Sequence, residues 1–305
     1  MSSTVVRRLA LASVVANSVI VVTGAAVRLT GSGLGCPTWP RCTDTTITPT
    51  EEYAVHGLIE FGNRLLTFVL LAVVVATLVA VWRQRPARPG MRRLAVLGAL
   101  GIPAQAGLGG ITVLTGLNPW TVGLHLLLSM LLIGVAVLLH QRAREGDLPP
   151  RHLVGPPLRR LGTGLLVLVF ATLAVGTVVT GSGPHSGDPE AGRTGLDPQA
   201  VSQLHADLVF LLVGVTLAFW VALKASGAPP RAARAMGVLL VVELAQGLIG
   251  FVQYVTDLPV VLVGMHLVGA CLVQAYAVHA VLALRDRGPV DASPATVVER
   301  ELTPA

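Results

Sequence analysis

Of the 305 residues in this chain, 53% are hydrophobic and only 12% are charged, and the mean hydropathy is +0.72. An ordinary soluble domain carries about twice that charged fraction, so the composition excludes one and places the chain in a bilayer. The formal net charge of +6 and a pI near 10.0 would suit a nucleic-acid binder. The arginines instead follow membrane topology, which removes that reading.

Apolar runs long enough to cross a hydrocarbon core of about 30 Å occur near 8 to 29, 56 to 82, 93 to 114, 119 to 140, 160 to 180, 201 to 224, 233 to 255 and 259 to 284. The expected fold is therefore an all-α integral membrane protein of eight transmembrane helices, arranged as two pseudo-symmetric four-helix bundles. Residues 1–148 form the N-terminal half, 149–287 the C-terminal half, and 288–305 read as a disordered cytoplasmic tail rich in Pro, Ser, Thr and acidic residues. The division rests on an internal repeat. Gln105 to His125 aligns without a gap on Gln246 to His266, and Thr30-Gly31-Ser32-Gly33 is echoed by Thr180-Gly181-Ser182-Gly183.

The first run follows Arg7 and Arg8 and is read as a retained helix, since no small-residue cleavage site follows it. Further basic residues, at Arg83 to Arg93, Arg142 to Arg160, Lys224 to Arg234 and Arg285 to Arg287, fall in alternate loops, so both termini are expected in the cytoplasm. Loops 30–55, 115–118, 181–200 and 256–258 then face outward. Cys36 and Cys42 sit in the first of these, on the oxidising side of a plasma membrane, where a disulfide is expected. Spacing alone leaves a staple and a redox-active pair equally open. Cys271, inside the eighth run, reads as a small packing residue.

Four of the eight histidines stand out. His140, His152, His185 and His279 lie at helix ends or in loops and read as solvated. His56, His125, His205 and His266 fall near the outer ends of the second, fourth, sixth and eighth runs, at depths of roughly 5 to 11 Å by helical rise. Two imidazoles per half on separate helices suit a planar cofactor gripped from both sides. Zinc or copper would want a third ligand at that level, and the second half has none there. Haem iron needs two axial ligands only, so one haem site per half is the economical reading.

The halves differ at the second run, where His56, Glu60 and Asn63 share one helix face. A buried carboxyl can donate or accept protons or act as a charge partner, while Arg64, one turn on, offers Glu60 a purely structural pairing. Glu243, aligned with Ile102, has no assigned role. The first half thus reads as a reaction site and the second as an electron carrier. Arg28, at the outer end of the first run, suits a haem propionate or a snorkelling anchor equally.

Several of these residues carry a family resemblance. Val27-Arg28-Leu29-Thr30-Gly31-Ser32-Gly33-Leu34-Gly35-Cys36-Pro37-Thr38-Trp39-Pro40 with Cys42, Ile59 to Arg64, Gly176 to Gly183, and His125, His205 and His266 resemble haem A synthase of the CtaA and Cox15 family, over about residues 8 to 285. The resemblance implies oxidation of the C8 methyl of haem o, the substrate, to a formyl group, giving haem a for cytochrome oxidase. It implies haem b on His205 and His266, haem o served by His125 and residues of the second run (His56, Asn63, Arg64), Glu60 as the catalytic glutamate, and a paired Cys36 and Cys42. Implied partners are the haem O synthase that supplies the substrate, an unidentified electron donor and the lipid bilayer. Nucleic acid is not among them, and a homo-oligomer is left open.

Two departures stand out. Many members place a histidine three residues after the glutamate, where this chain has Asn63, so His56 is expected to take the ligand role. The third outward loop lacks the second cysteine pair of some members, and its Pro and Gly are expected to hold its shape. The competing readings are a di-haem membrane electron carrier without turnover, of quinone-linked cytochrome b type, and a transporter. The transporter would need a midspan helix break, for which Pro103 is the nearest candidate.

Overall fold

A computed structural model describes residues 2–51, 53–185 and 187–290. Among these residues are eight helices long and apolar enough to cross a membrane: α1 Ser3–Leu29, α2 Ala54–Arg83, α3 Pro89–Leu114, α4 Pro119–Arg142, α5 Pro156–Ser182, α6 Pro198–Ala225, α7 Pro230–Val255 and α8 Val260–Leu282. Proline opens α3, α4, α5, α6 and α7, where its missing N–H costs no intrahelical bond. Pro103 lies inside α3 and the helix continues through it, so the break a transporter would need is not made there. Most of the expected cytoplasmic tail, residues 291–305, lies outside the described residues.

Helix α1 packs on α2 and α4, and α3 on α2 and α4. Likewise α5 packs on α6 and α8, and α7 on α6 and α8. The seam between the two groups runs along α4, where α8 and α5 contact it, and along the contact of α1 with α8. Val21, Met130, Ile133, Val137, Ala270 and Cys271 form an apolar cluster on this seam, and Gln274 of α8 donates to the Met130 carbonyl of α4 at 3.1 Å. The packing role expected for Cys271 is the one it has. Large apolar residues such as Leu58, Phe68, Val167, Phe210 and Phe251 are exposed on outer faces, as helices in lipid require.

The repeat shows in the turns. Helix α3 ends with Gly116 at φ 60° and Leu117 at φ 56°, and the Leu117 N–H bonds the Thr112 carbonyl at 2.9 Å. At the aligned place after α7, Asp257 and Leu258 both have φ 58°, and the Leu258 N–H bonds the Gln253 carbonyl at 2.8 Å. Both closures bond the sixth residue back to the first, which satisfies an orphan carbonyl of the last turn.

The two Thr-Gly-Ser-Gly echoes differ. The first leaves α1 through Gly31 at φ 65°, whereas the second stays helical to Ser182. Extra anchors explain the added turn: Thr194 N–H bonds the Gly181 carbonyl at 3.1 Å, and Ser182 and Thr194 share a hydroxyl contact.

A second feature escapes any reading of local pattern. Arg151–His152 (β1) pairs antiparallel with Arg285–Asp286 (β2), so the linker between the two groups of helices is stitched to the chain leaving α8.

Candidate functional site

In the second group of helices, His205 of α6 and His266 of α8 face each other. Their ring centroids are 6.4 Å apart and their planes cross at 72°. Each imidazole edge lies on a glycine of the preceding helix: a Cβ at Gly176 would sit 3.1 Å from the His205 ring, and one at Gly250 3.0 Å from the His266 ring. Gln246 of α7 donates to the His266 carbonyl at 2.6 Å and so ties the turn of α8 that carries His266 to its neighbour.

The same devices recur in the first group. A Cβ at Gly109 would be 3.2 Å from the His125 ring, and Gln105 donates to the His125 carbonyl at 3.0 Å. The corresponding contact across α1 and α2 involves Asn63, whose amide nitrogen lies 3.9 Å from a Cβ at Gly24, with its Oδ1 accepting from Thr23 at 2.8 Å.

His56 is placed differently. It stands two residues into α2, about 3 Å from the helix start, against six or seven residues and about 9 to 11 Å for the other three. The common depth expected of the four therefore holds for His125, His205 and His266 and not for His56. The difference arises because α2 begins at Ala54 rather than a full turn earlier. His56 is exposed, and its Nδ1 is bonded to the Ser32 hydroxyl at 2.9 Å, which is itself bonded to Thr30 at 2.8 Å. No ring contact joins His56 to His125 among the described residues.

Glu60 is buried, 5% exposed, under the α1–α2 loop, the first of those expected to face outward. One carboxyl oxygen accepts the Cys36 N–H at 2.6 Å and the other accepts Arg64 at 2.5 Å. Arg64 continues to the carbonyls of Cys36 at 2.8 Å, Thr38 at 2.9 Å and Arg41 at 3.1 Å. The pairing of Glu60 with Arg64 is thus formed, and together they clamp the loop onto α2. The Cys36–Cys42 disulfide is present, with both residues fully buried and Cα atoms 4.3 Å apart. Gly35 is needed here, because a Cβ would stand 2.3 Å from the His56 carbonyl oxygen. Trp39 lies against Gly110 of α3.

Arg28 donates to the His185 carbonyl at 2.5 Å and the Thr180 carbonyl at 3.0 Å, so it binds the α5–α6 loop, the third of those expected to face outward, to the end of α1. His185, expected to be merely solvated, bonds the Leu258 carbonyl at 2.9 Å. Gly33 N–H bonds the Gly187 carbonyl at 2.9 Å, which knits the first and third outward loops together. Glu243 is buried at 3% exposure and accepts from Thr216 of α6 at 3.0 Å.

With 6.4 Å between their centroids, the His205 and His266 rings are close enough that one metal ion could take a nitrogen from each. Among the described residues, no three His, Cys, Asp or Glu side chains come together as a metal site. The glycines facing the rings let each imidazole lie close against the neighbouring helix.

Over 162 residues the chain is 30% identical to a protein of Listeria monocytogenes named heme A synthase, covering 52% of this chain and 51% of that one. It is 30% identical over 181 residues to heme A synthase of Symbiobacterium thermophilum, covering 57% and 58%. To that of Lysinibacillus sphaericus it is 32% identical over 139 residues, covering 45% of each. The chain thus spans about half the length of the curated relatives it matches. Residues 7–184 match the profile of the COX15-CtaA cytochrome oxidase assembly proteins, and the chain belongs to that family.

Proposed function

We propose that this membrane protein is a haem A synthase, which oxidises the C8 methyl of haem o to a formyl group and so makes haem a for cytochrome oxidase. The observation that carries the reading is the facing pair His205 and His266 in one group of helices, set against a carboxylate in the other, Glu60, that is paired with Arg64 and bonded to the loop at Cys36, as the buried Glu243 is not. A pure di-haem carrier has no use for that asymmetry.

His205 and His266 would hold haem b, which supplies one-electron transfer to the reaction site. Gly176 and Gly250 admit the two imidazole edges, and Gln246 fixes the turn that carries His266. In the first group, His125 and the outer turns of α2 serve the haem o substrate. His56 is our candidate for the second ligand, because its Nδ1 already has a hydroxyl partner in Ser32, the kind of support an imidazole ligand uses. Asn63, bonded to Thr23, lines the substrate side as an amide.

Glu60 is the residue we place beside the reacting methyl. Arg64 and the Cys36 N–H hold its carboxylate in a fixed orientation, so it can manage charge or a proton without reorganising. Arg28 is spent on loop carbonyls, which supports an anchoring role over pairing with a propionate. Cys36 and Cys42 hold the loop over this site, and their burial supports the staple reading.

Both termini are placed in the cytoplasm and the haem sites toward the outer face of the plasma membrane, on the arginine distribution. The enzyme would take haem o from the haem O synthase and electrons from a donor still to be found. The test is a host that makes haem o and no haem a. Expression of this chain should produce haem a there; accumulation of unaltered haem o would sink the assignment.

A further inference from the structure

The arginine-bearing end of the helices holds a cluster that membrane topology does not account for. Topology asks only that positive residues lie in the right loops. Here Arg88, which caps α3, Arg142, the last residue of α4, and Arg285 and Arg287, beyond α8, converge on Glu145 and Asp147 of the linker. Arg88 and Arg142 reach Asp147 at 2.8 and 2.7 Å. Arg142, Arg285 and Arg287 stand 3.5, 4.0 and 4.0 Å from Glu145.

Four guanidinium groups thus surround two carboxylates. Their side chains are 4%, 9%, 21% and 20% exposed, so the excess charge is held largely out of water. Backbone carbonyls take some donors: Arg88 reaches Glu145 O at 2.6 Å, and Arg287 reaches Leu148 O at 3.0 Å. Yet Arg88 Nη1, Arg285 Nε and Nη2, and Arg287 Nε are buried with no hydrogen-bond partner. A buried charged donor left without a hydrogen bond is unfavourable, and these donors come from two chain segments, Arg88 before α3 and Arg285 with Arg287 after α8.

We propose that this cluster is a binding site for a phosphate group, of the kind carried by an anionic phospholipid headgroup or by free phosphate. Planar guanidinium groups match phosphate oxygens in pairs, and one phosphate offers several acceptors to the unpartnered donors. The cluster lies at the ends of α3, α4 and α8, the depth at which lipid phosphates lie, and basic pockets between helix ends are known lipid headgroup sites. Burial, and next to it the neighbouring Arg285, push the Arg287 guanidinium below its usual range, a load that a bound anion relieves. A phosphate held here would bridge the α2–α3 loop, the linker and the segment after α8.

The test uses the full chain, delipidated in neutral detergent. Thermal unfolding is followed with phosphatidylglycerol against phosphatidylcholine, and with inorganic phosphate against chloride at equal ionic strength. Protection by phosphatidylglycerol alone assigns the site to a headgroup, and protection by inorganic phosphate assigns it to the free ion. In either case Arg285→Gln/Arg287→Gln should weaken the response about tenfold, as loss of charge-assisted contacts does. Arg287→Gln alone, which leaves Arg285 in place, should show a smaller loss in the same direction and serves if the double variant does not fold. Equal response to the control lipid and control salt, or a variant that responds as the wild type does, overturns the proposal.

Discussion

The glycines that face the histidines make the sharpest predictions at the residue scale. Gly176→Ala or Gly250→Ala would put a methyl 3.1 or 3.0 Å from an imidazole edge, and the ring must move because the opposing helix backbone cannot. Each variant should lose the low-spin absorption of a bis-imidazole haem or show it shifted, while Gly107→Ala, which meets nothing within 4 Å, should keep it. Normal spectra in all three would remove the cradle from the account. Glu60 invites a different substitution. Glu60→Gln removes the charge and keeps an acceptor for only one of Arg64 and the Cys36 N–H, but Arg64 still reaches the carbonyls of Cys36, Thr38 and Arg41, so the loop should stay closed and haem b should stay bound. Haem a formation should fall by about 100-fold or more, the usual worth of a catalytic proton-handling group. Undiminished formation would leave Glu60 as a loop clamp only. Likewise His56→Ala should abolish haem o binding; unchanged binding would return that role to another residue of the first group of helices.

At the scale of single elements, the closures of α3 and α7 differ by one side chain. Asp257 adopts a left-handed conformation where the aligned residue is Gly116. Asp257→Gly should stabilise the protein by about 1 kcal/mol, the ordinary cost of a side chain in that region, and Gly116→Asp should cost a similar amount. Thermal unfolding in detergent would show opposite shifts of the midpoint; shifts of the same sign would contradict the argument. The disulfide loop adds a second case. Its cysteines are six residues apart, so breaking it with Cys36→Ser should cost about 2 kcal/mol of loop-closure entropy, less whatever Arg64 continues to hold.

These elements also show what could be read in advance. Each spanning helix was visible because about 20 apolar residues in succession have few soluble alternatives. Gln105 and Gln246 stood at matching places in the repeat, but nothing in spacing says that an amide will bond the carbonyl of a histidine 20 residues on. Nor did Gly176 stand out among the small residues of α5, since its partner lies on α6.

Across the whole molecule, the proposed division of labour between the two groups of helices is the main functional statement. The sequence shows it as an asymmetry within a duplication: α6 has His205 where α2 has His56, but no counterpart of Glu60 or Asn63. What sequence did not reveal is how the groups are joined, because the joints link residues 139 to 157 positions apart. Arg28 to Thr180 and His185 is one such joint, and Arg287 to Leu148 another. Arg28→Ala should therefore loosen the third outward loop, seen as faster proteolysis after Arg193, while the Soret band of haem b stays in place.

The most direct measurement is the haem content of the purified full-length chain, taken from a host that supplies haem o. The wild type should carry haem b together with haem o or haem a, and His205→Ala and His266→Ala should each lose the haem b and with it the haem a. A wild-type protein holding haem b alone, or no haem, would contradict the account.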